Sequence, residues 1–152
     1  MLLDKGWKLG AINGQDNHRM NFGDTENLTV LISNELTSKN LVEAFRNRKT
    51  YSTESRTLKM NFYINNTFMG DEITDSPTTL NFSIFAEDER IKITAIEIIT
   101  NKACIVKKVD NLHLNSIKYM YAHKRLEGET WYLIRVYQEE KRMAISSAIF
   151  VK

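Results

Sequence analysis

Asp16 and His18 are the residues of this chain whose types and spacing best suit chemistry. A carboxylate and an imidazole two positions apart, just beyond the end of a strand, can converge on one cation. Carboxylate oxygen and neutral imidazole nitrogen both suit Zn, Mn or Fe. The pair supplies two ligands where a metal takes about four or more, so the rest must come from elsewhere. The bland interpretation of an isolated Asp-x-His is a solvated turn. Other chemistry finds no pattern: His113 and His123 are far from each other and from Cys104, with no zinc-site spacing. There is no Gly-x-Ser-x-Gly elbow, no P-loop and no dinucleotide fingerprint, and Ser146-Ser147 have no sequence-evident base.

The elements that must position Asp16 and His18 begin at the N-terminus. Met1 to Lys5 reads as the last turn of a helix, with Gly6 as the left-handed residue that ends it. Trp7 reads as a packing residue. Lys8 to Ile12 reads as a short buried strand, with Leu9, Ala11 and Ile12 apolar and Gly10 and Gly14 as punctuation. Residues 19–27 are polar and aperiodic, a loop, and Leu28 to Ile32 is a second short strand rich in β-branched residues. Thr37 then caps the one clear helix, about 37–49, with Asn40 in the place where a capping box prefers Glu or Gln. Leu41, Ala44 and Phe45 make its inward stripe. Arg46, Arg48 and Lys49 crowd its last turn, where cations suit the helix dipole.

From Leu58 the period changes from 3.6 to 2. Leu58, Met60, Phe62 and Ile64 alternate with polar partners, Asn65-Asn66 is a tight turn, and Leu80, Phe82, Ile84 and Ala86 alternate again. Ile93 and Ile96 cannot share a face under strict alternation, so the strand Ile91 to Thr100 must change face or bulge. Further strands are expected over Ala103 to Val109, Tyr119 to His123, Trp131 to Gln138 and Met143 to Val151. Short strands with a turn about every ten residues argue an antiparallel β-sandwich. Trp131, Tyr132, Tyr137, Tyr119 and Tyr121 could form a sugar-binding face, but cross-strand packing is the favoured role for aromatics in strands.

Three stretches carry a resemblance. Gly6-Trp7-Lys8-Leu9-Gly10 ahead of Asp16-Asn17-His18 resembles the last metal-binding strand and loop of the PHP (polymerase and histidinol phosphatase) superfamily. Glu35 to Thr53, a basic-ended helix running into Thr50-Tyr51-Ser52-Thr53, resembles a second block of those proteins. It is the more specific of the three, being long and in the right order. Trp131 to Gln138 with Ala144 to Val151 resembles the closing hairpin of the immunoglobulin-like domain that follows many PHP barrels. Together they span nearly the whole chain, the middle strands matching in pattern alone.

That resemblance implies a C-terminal part of a metal-dependent phosphoesterase. Residues 1–54 would be the tail of a distorted TIM-like barrel with its connecting helix, and 55–152 an immunoglobulin-like β-sandwich. Asp16 and His18 would be two ligands of an incomplete site for a divalent metal (Zn, Mn or Fe), the rest coming from the missing N-terminal barrel. The family's early His-x-His pair and its mid-barrel Glu and His ligands have no counterpart here, so this chain alone is expected to be inactive and to hold no metal tightly. The rival is a non-catalytic sandwich that binds a carbohydrate, a cell-surface polymer or a protein.

Composition agrees with a globular chain. It has 152 residues, 42% hydrophobic and 26% charged, enough for a sizeable core. A net charge of +2 and a pI near 8.6 are too mild to imply nucleic acid or an anionic membrane as partner. Cys104 stands alone, which excludes an intramolecular disulfide. No apolar run approaches a membrane span, and Met1 to Lys5 is no signal peptide.

Overall fold

The computed structural model describes residues 1–152, and its architecture follows from the alternation noted above. In chain order the elements are β1 (Leu28–Leu31), α1 (Ser38–Arg46), β2 (Thr50–Thr53), β3 (Lys59–Ile64), β4 (Thr67–Phe68) and β5 (Glu72–Ile73). There follow β6 (Thr79–Glu87), β7 (Ile93–Thr100), β8 (Cys104–Val109), β9 (Ser116–Lys124), β10 (Trp131–Gln138), β11 (Met143–Ser146) and β12 (Ile149–Val151). The protein is mainly β, with one α-helix and two sheets packed face to face. The smaller sheet runs β4-β3-β6-β9, and the larger runs β1-β2-β11-β10-β7-β8 with β12 and β5 continuing beside β10. Every pairing is antiparallel except the short one between β12 and β5. No helix is long and apolar enough to cross a membrane.

Burial follows the period of two. In β3 Met60, Phe62 and Ile64 are buried between exposed or half-buried neighbours, and β6 repeats the pattern with Leu80, Phe82, Ile84 and Ala86. These side chains meet Ile96, Ile98, Ile134 and Val136 from the larger sheet in one core. The expected irregularity in β7 is a bulge: Tyr137 pairs with Ala95 but Gln138 pairs with Ile93, which leaves Thr94 out of register and lets Ile93 and Ile96 both point inward. Asn65 and Asn66 both take positive φ (47° and 69°), as the tight β3–β4 hairpin requires. Trp131 and Tyr132 are fully buried and Tyr119, Tyr121 and Tyr137 half-buried, so these aromatics pack rather than form a face.

The N-terminal region departs from expectation. No barrel is present. β1 and β2, expected at a barrel edge, are the outer strands of the larger sheet, with β2 paired to both β1 and β11. The line drawn between 54 and 55 thus falls just after a strand of the same sheet that holds β10. Lys8 to Ile12 forms no strand and pairs with no ladder. It crosses the sheet as an extended segment held by side-chain oxygens: the Ala11 N–H donates to Ser147 Oγ (2.9 Å) and the Asn13 N–H to Thr29 Oγ1 (2.8 Å). The turn at Leu3–Lys5 does close on Gly6, in left-handed conformation, whose N–H donates to the Leu3 carbonyl. That turn covers the outer face of the larger sheet. Leu3 packs on a second cluster of Ile99, Trp131, Leu133, Ala148 and Phe150, and Asp4 Oδ1 accepts from the Trp131 indole at 3.1 Å.

Helix α1 starts where expected, with Thr37 Oγ1 accepting from the Asn40 N–H at 3.3 Å. It ends at Asn47, and Arg48 turns left-handed before β2. Arg48 fixes this end by donating Nε–H to the Gly70 carbonyl (2.9 Å). Gly70 has φ of 93°, and a Cβ there would collide with the Arg48 carbonyl, so both conformation and space demand glycine. The inward stripe is only partly as expected. Ala44 is buried and Leu41 half-buried, but Phe45 is 54% exposed because the helix presents that face away from the sheets.

A buried carboxylate closes each end of the sandwich. Asp88, fully buried after β6, accepts from Ser55 Oγ (2.6 Å), Thr57 Oγ1 (2.7 Å), Gln138 Nε2 (2.7 Å) and the Arg90 and Ile91 N–H groups. Burial alone would push its carboxyl up, the largest single influence, but these hydrogen bonds together outweigh it and hold the carboxyl at about 2. At the other end Glu129 Oε2 accepts from His123 Nε2, Tyr132 OH and the Leu126 N–H. Burial again opposes ionisation, and the three donors prevail, keeping this carboxyl below the ordinary range.

Asp88 therefore predicts acid sensitivity. Its folded carboxyl, at about 2, lies below the ordinary 3.8, so the folded protein binds the proton less readily than the unfolded chain. The stability it contributes is present above about pH 4 and is lost as pH falls through 3.8 to about 2, on the order of 2 kcal/mol. Denaturant midpoints measured across that window should fall in the parent and change less in Asp88→Asn. Asp88→Ala, which strands several buried donors, should cost about 3 kcal/mol or more at neutral pH.

Candidate functional site

The loop bearing Asp16 and His18 is shaped by its own amides. Gln15 spans it, donating Nε2–H to the Asn21 carbonyl (2.9 Å) and accepting at Oε1 from the Gly23 N–H (3.1 Å). Asn17 makes an Asx turn, its Oδ1 accepting from the Arg19 N–H at 2.8 Å. Arg56 anchors the far side to the sandwich by donating to the Gly23 and Thr25 carbonyls. Asp16 sits in left-handed conformation (φ 47°), which a short polar side chain tolerates.

Asp16 and His18 do come together. His18 Nδ1 lies 2.7 Å from the Asp16 carbonyl oxygen and 3.9 Å from its Oδ1. A carbonyl only accepts, so Nδ1 carries the proton in this contact, and Nε2 has no partner in the chain. Metal-bound histidines commonly show this arrangement, one ring N–H on a carbonyl and the other nitrogen free to ligate. Both side chains are largely in solvent, 94% exposed for Asp16 and 79% for His18. No third ligand joins them: nowhere in the chain do three His, Cys, Asp or Glu side chains gather as a metal-holding group. His123 is committed to Glu129, His113 lies 3.5 Å from Glu139 at the surface, and Cys104 is exposed.

Exposed apolar side chains occur in this loop, in the segment before it and on α1. Trp7, expected to pack, is 57% exposed, and Leu9, Ile12, Met20 and Phe22 are also in solvent. On α1 at about 100° per residue, Leu41, Val42 and Phe45 share one side, and Val42 and Phe45 are exposed. Gly10 lies by the connection from α1 to β2, where a Cβ on it would touch Arg48 Cβ at 3.3 Å, whereas the Asp16–His18 loop adjoins the opposite end of the β1–β2 pair, beside Arg56.

The two buried carboxylates were not legible in the sequence. Asp88 and Glu129 sit in charged turns, Glu87-Asp88-Glu89-Arg90 and Glu127-Gly128-Glu129, where acidic residues are ordinarily solvated. The one available signal was a Ser55-x-Thr57 donor pair, which is common in loops.

No protein-family model matches the sequence, and no curated protein matches it. Among solved structures, an engineered protein determined at 1.98 Å resolution aligns over 62% of this chain and 20% of its own, at 6% identity and a TM-score of 0.37. A likeness that slight carries no argument.

Two outcomes follow from this geometry. With two protein ligands and water in the remaining positions, Zn²⁺ binding should be too weak to survive dialysis, and any weak binding should vanish in His18→Ala. A full equivalent of zinc retained by the parent would mean that another ligand completes the site. Phe45→Ala should change the denaturant midpoint by less than about 0.5 kcal/mol, against about 3–5 kcal/mol for truncating a buried aromatic.

Proposed function

We propose that this chain is the C-terminal part of a PHP-type metal-dependent phosphoesterase, in which the β-sandwich buttresses a catalytic barrel and is not catalytic by itself. The observation that carries this reading is the set of exposed apolar side chains, Ile12, Met20 and Phe22, that flank Asp16 and His18 along the chain. Large apolar side chains grouped around a polar, ligand-bearing loop are what a domain interface beside an active site leaves when one partner is taken away. The orientation of His18 supports it too, with Nδ1 tied to the Asp16 carbonyl and Nε2 free.

In that setting Asp16 and His18 would each give one ligand to a Zn, Mn or Fe ion. Such an ion lowers the pKa of a bound water and neutralises charge on a phosphate oxygen. The residues of this chain contribute position. Gln15 and Asn17 set the loop backbone, the Asp16 carbonyl selects the His18 tautomer, and Arg56 fixes the loop to the end of the sandwich.

The test is the reading frame upstream of Met1. It should encode a His-x-His strand, and the extended protein should hydrolyse bis-p-nitrophenyl phosphate in the presence of Mn²⁺ or Zn²⁺. His18→Ala should lower that activity at least about 100-fold, the upper end of what losing an outer-shell partner costs. An upstream sequence without such a strand, or hydrolysis indifferent to Asp16 and His18, would overturn the assignment.

A further inference from the structure

Opposite the apolar side of α1 lies a cleft of about 570 Å³ between the helix, the connection after β1 and the outer face of the smaller sheet. Its size is within the range of about 300–1,000 Å³ usual for small-ligand sites. The helix turns a different set of residues toward it: Asn40, Glu43, Ala44 and Asn47 fall on one face by their spacing and all line the cleft. Asn34 contributes from the connection and Asn61 and Tyr63 from β3, while Phe68 of β4 backs Tyr63, their ring centroids 4.9 Å apart.

Three features define what such a cleft can hold. The first is its hydrogen-bonding character. The carboxamides of Asn34, Asn47 and Asn61, the Tyr63 hydroxyl and the Glu43 carboxylate take no partner within the chain, while Asn40 lies 3.4 Å from the Glu35 carboxylate and Ser33 donates its hydroxyl to the Glu35 carbonyl. Each carboxamide offers donors and an acceptor side by side, which matches a hydroxyl that both gives and takes a hydrogen bond. The second is charge. The one cation on the wall, Lys49, is paired with Asp71 and lies 5.2 Å over the Phe68 ring, so no free positive group remains for a phosphate or carboxylate ligand. The third is the Tyr63–Phe68 pair, an apolar surface set among polar groups. A ligand with many neutral hydroxyls around an apolar C–H face satisfies all three.

We propose that this cleft is a binding site for a neutral saccharide of one or two rings, with Asn47, Asn61 and Glu43 taking its hydroxyls and Tyr63 lying against its C–H face. The site is separate from Asp16 and His18 and does not depend on the phosphoesterase reading: α1 turns Val42 and Phe45 away from the cleft, so both surfaces can be used at once.

The experiment is a titration of the full chain, followed by amide NMR, with cellobiose, maltose, mannobiose and chitobiose in turn, up to about ten times a Kd on the order of 1 mM. Inorganic phosphate is the anion control. At least one disaccharide should give saturable shifts confined to residues 33–34, 40–47 and 61–68, with phosphate giving none there. Asn47→Ala and Asn61→Ala, both at exposed positions, should weaken binding at least tenfold while leaving the unfolding midpoint unchanged, and Phe45→Ala should bind as the parent does. No shift with any of the four sugars, shifts centred elsewhere, an equal response to phosphate, or full binding by both asparagine variants would overturn the assignment.

Discussion

A carboxylate buried where the two sheets meet must be fully hydrogen-bonded or protonated, and this constraint organises the protein. Asp88 and Glu129 lie at opposite ends of the sandwich, and each draws donors from both sheets or the turns that join them. β10 belongs to both networks, with Tyr132 near its start and Gln138 at its end. Its position over the smaller sheet is thereby fixed at two points about a strand length apart. Between them the apolar contacts of Ile134 and Val136 with Phe62, Phe82 and Ile84 need only be of the right volume. Apolar packing supplies most of the favourable free energy, but it is not directional. The two carboxylates supply direction, because a shift of one residue along β10 would leave several buried donors without an acceptor.

With both ends fixed, the sheets expose faces that must be covered or tolerated. The larger sheet covers part of its outer face with the N-terminal turn, where Asp4 ties to the Trp131 indole and to the Lys102 N–H. Residues 8–13 continue across it by borrowing hydroxyl acceptors from Ser147 and Thr29. Side-chain acceptors satisfy an extended backbone without making a strand, so the segment is held in place and yet carries Leu9 and Ile12 outward. The exposed apolar groups are therefore a product of how the segment is anchored, not of loose packing.

Most strands were legible because half-buried strands write their orientation into alternation. Leu80 to Ala86 and Trp131 to Gln138 were read within a residue or two of their ends, and the Ile93/Ile96 conflict announced the bulge. Thr37 was legible as a cap because capping is local. What failed was whatever depended on a partner far away in sequence. Lys8 to Ile12 has strand composition but finds no ladder. Met143 to Val151 reads as one strand, yet it is interrupted at Ser147 and Ala148, whose backbone bonds go instead to the Thr50 carbonyl and the Gly70 N–H. For α1 the period revealed an apolar side but not which side faces protein. The cleft asparagines were invisible for the same reason: Asn40 was read as part of a cap, and nothing in sequence places Asn61 opposite Asn47.

The candidate metal loop can keep its shape without a metal because almost nothing in it is buried. Two carboxylates or imidazoles held together in a dry cavity would repel or force a change of protonation when the cation leaves. Asp16 and His18 are solvated, so the empty arrangement carries no such penalty, and Gln15 and Asn17 set the turn whether or not an ion is present. The same exposure makes the loop a weak site by itself, since water competes at every remaining position. Affinity would have to come from a second surface that brings further ligands and excludes water in one step. The apolar side chains flanking the loop are suited to that, because burying them drives association while the polar centre stays ordered. A loop so preorganised and so exposed would need a second surface over Ile12, Met20 and Phe22 before it could hold an ion.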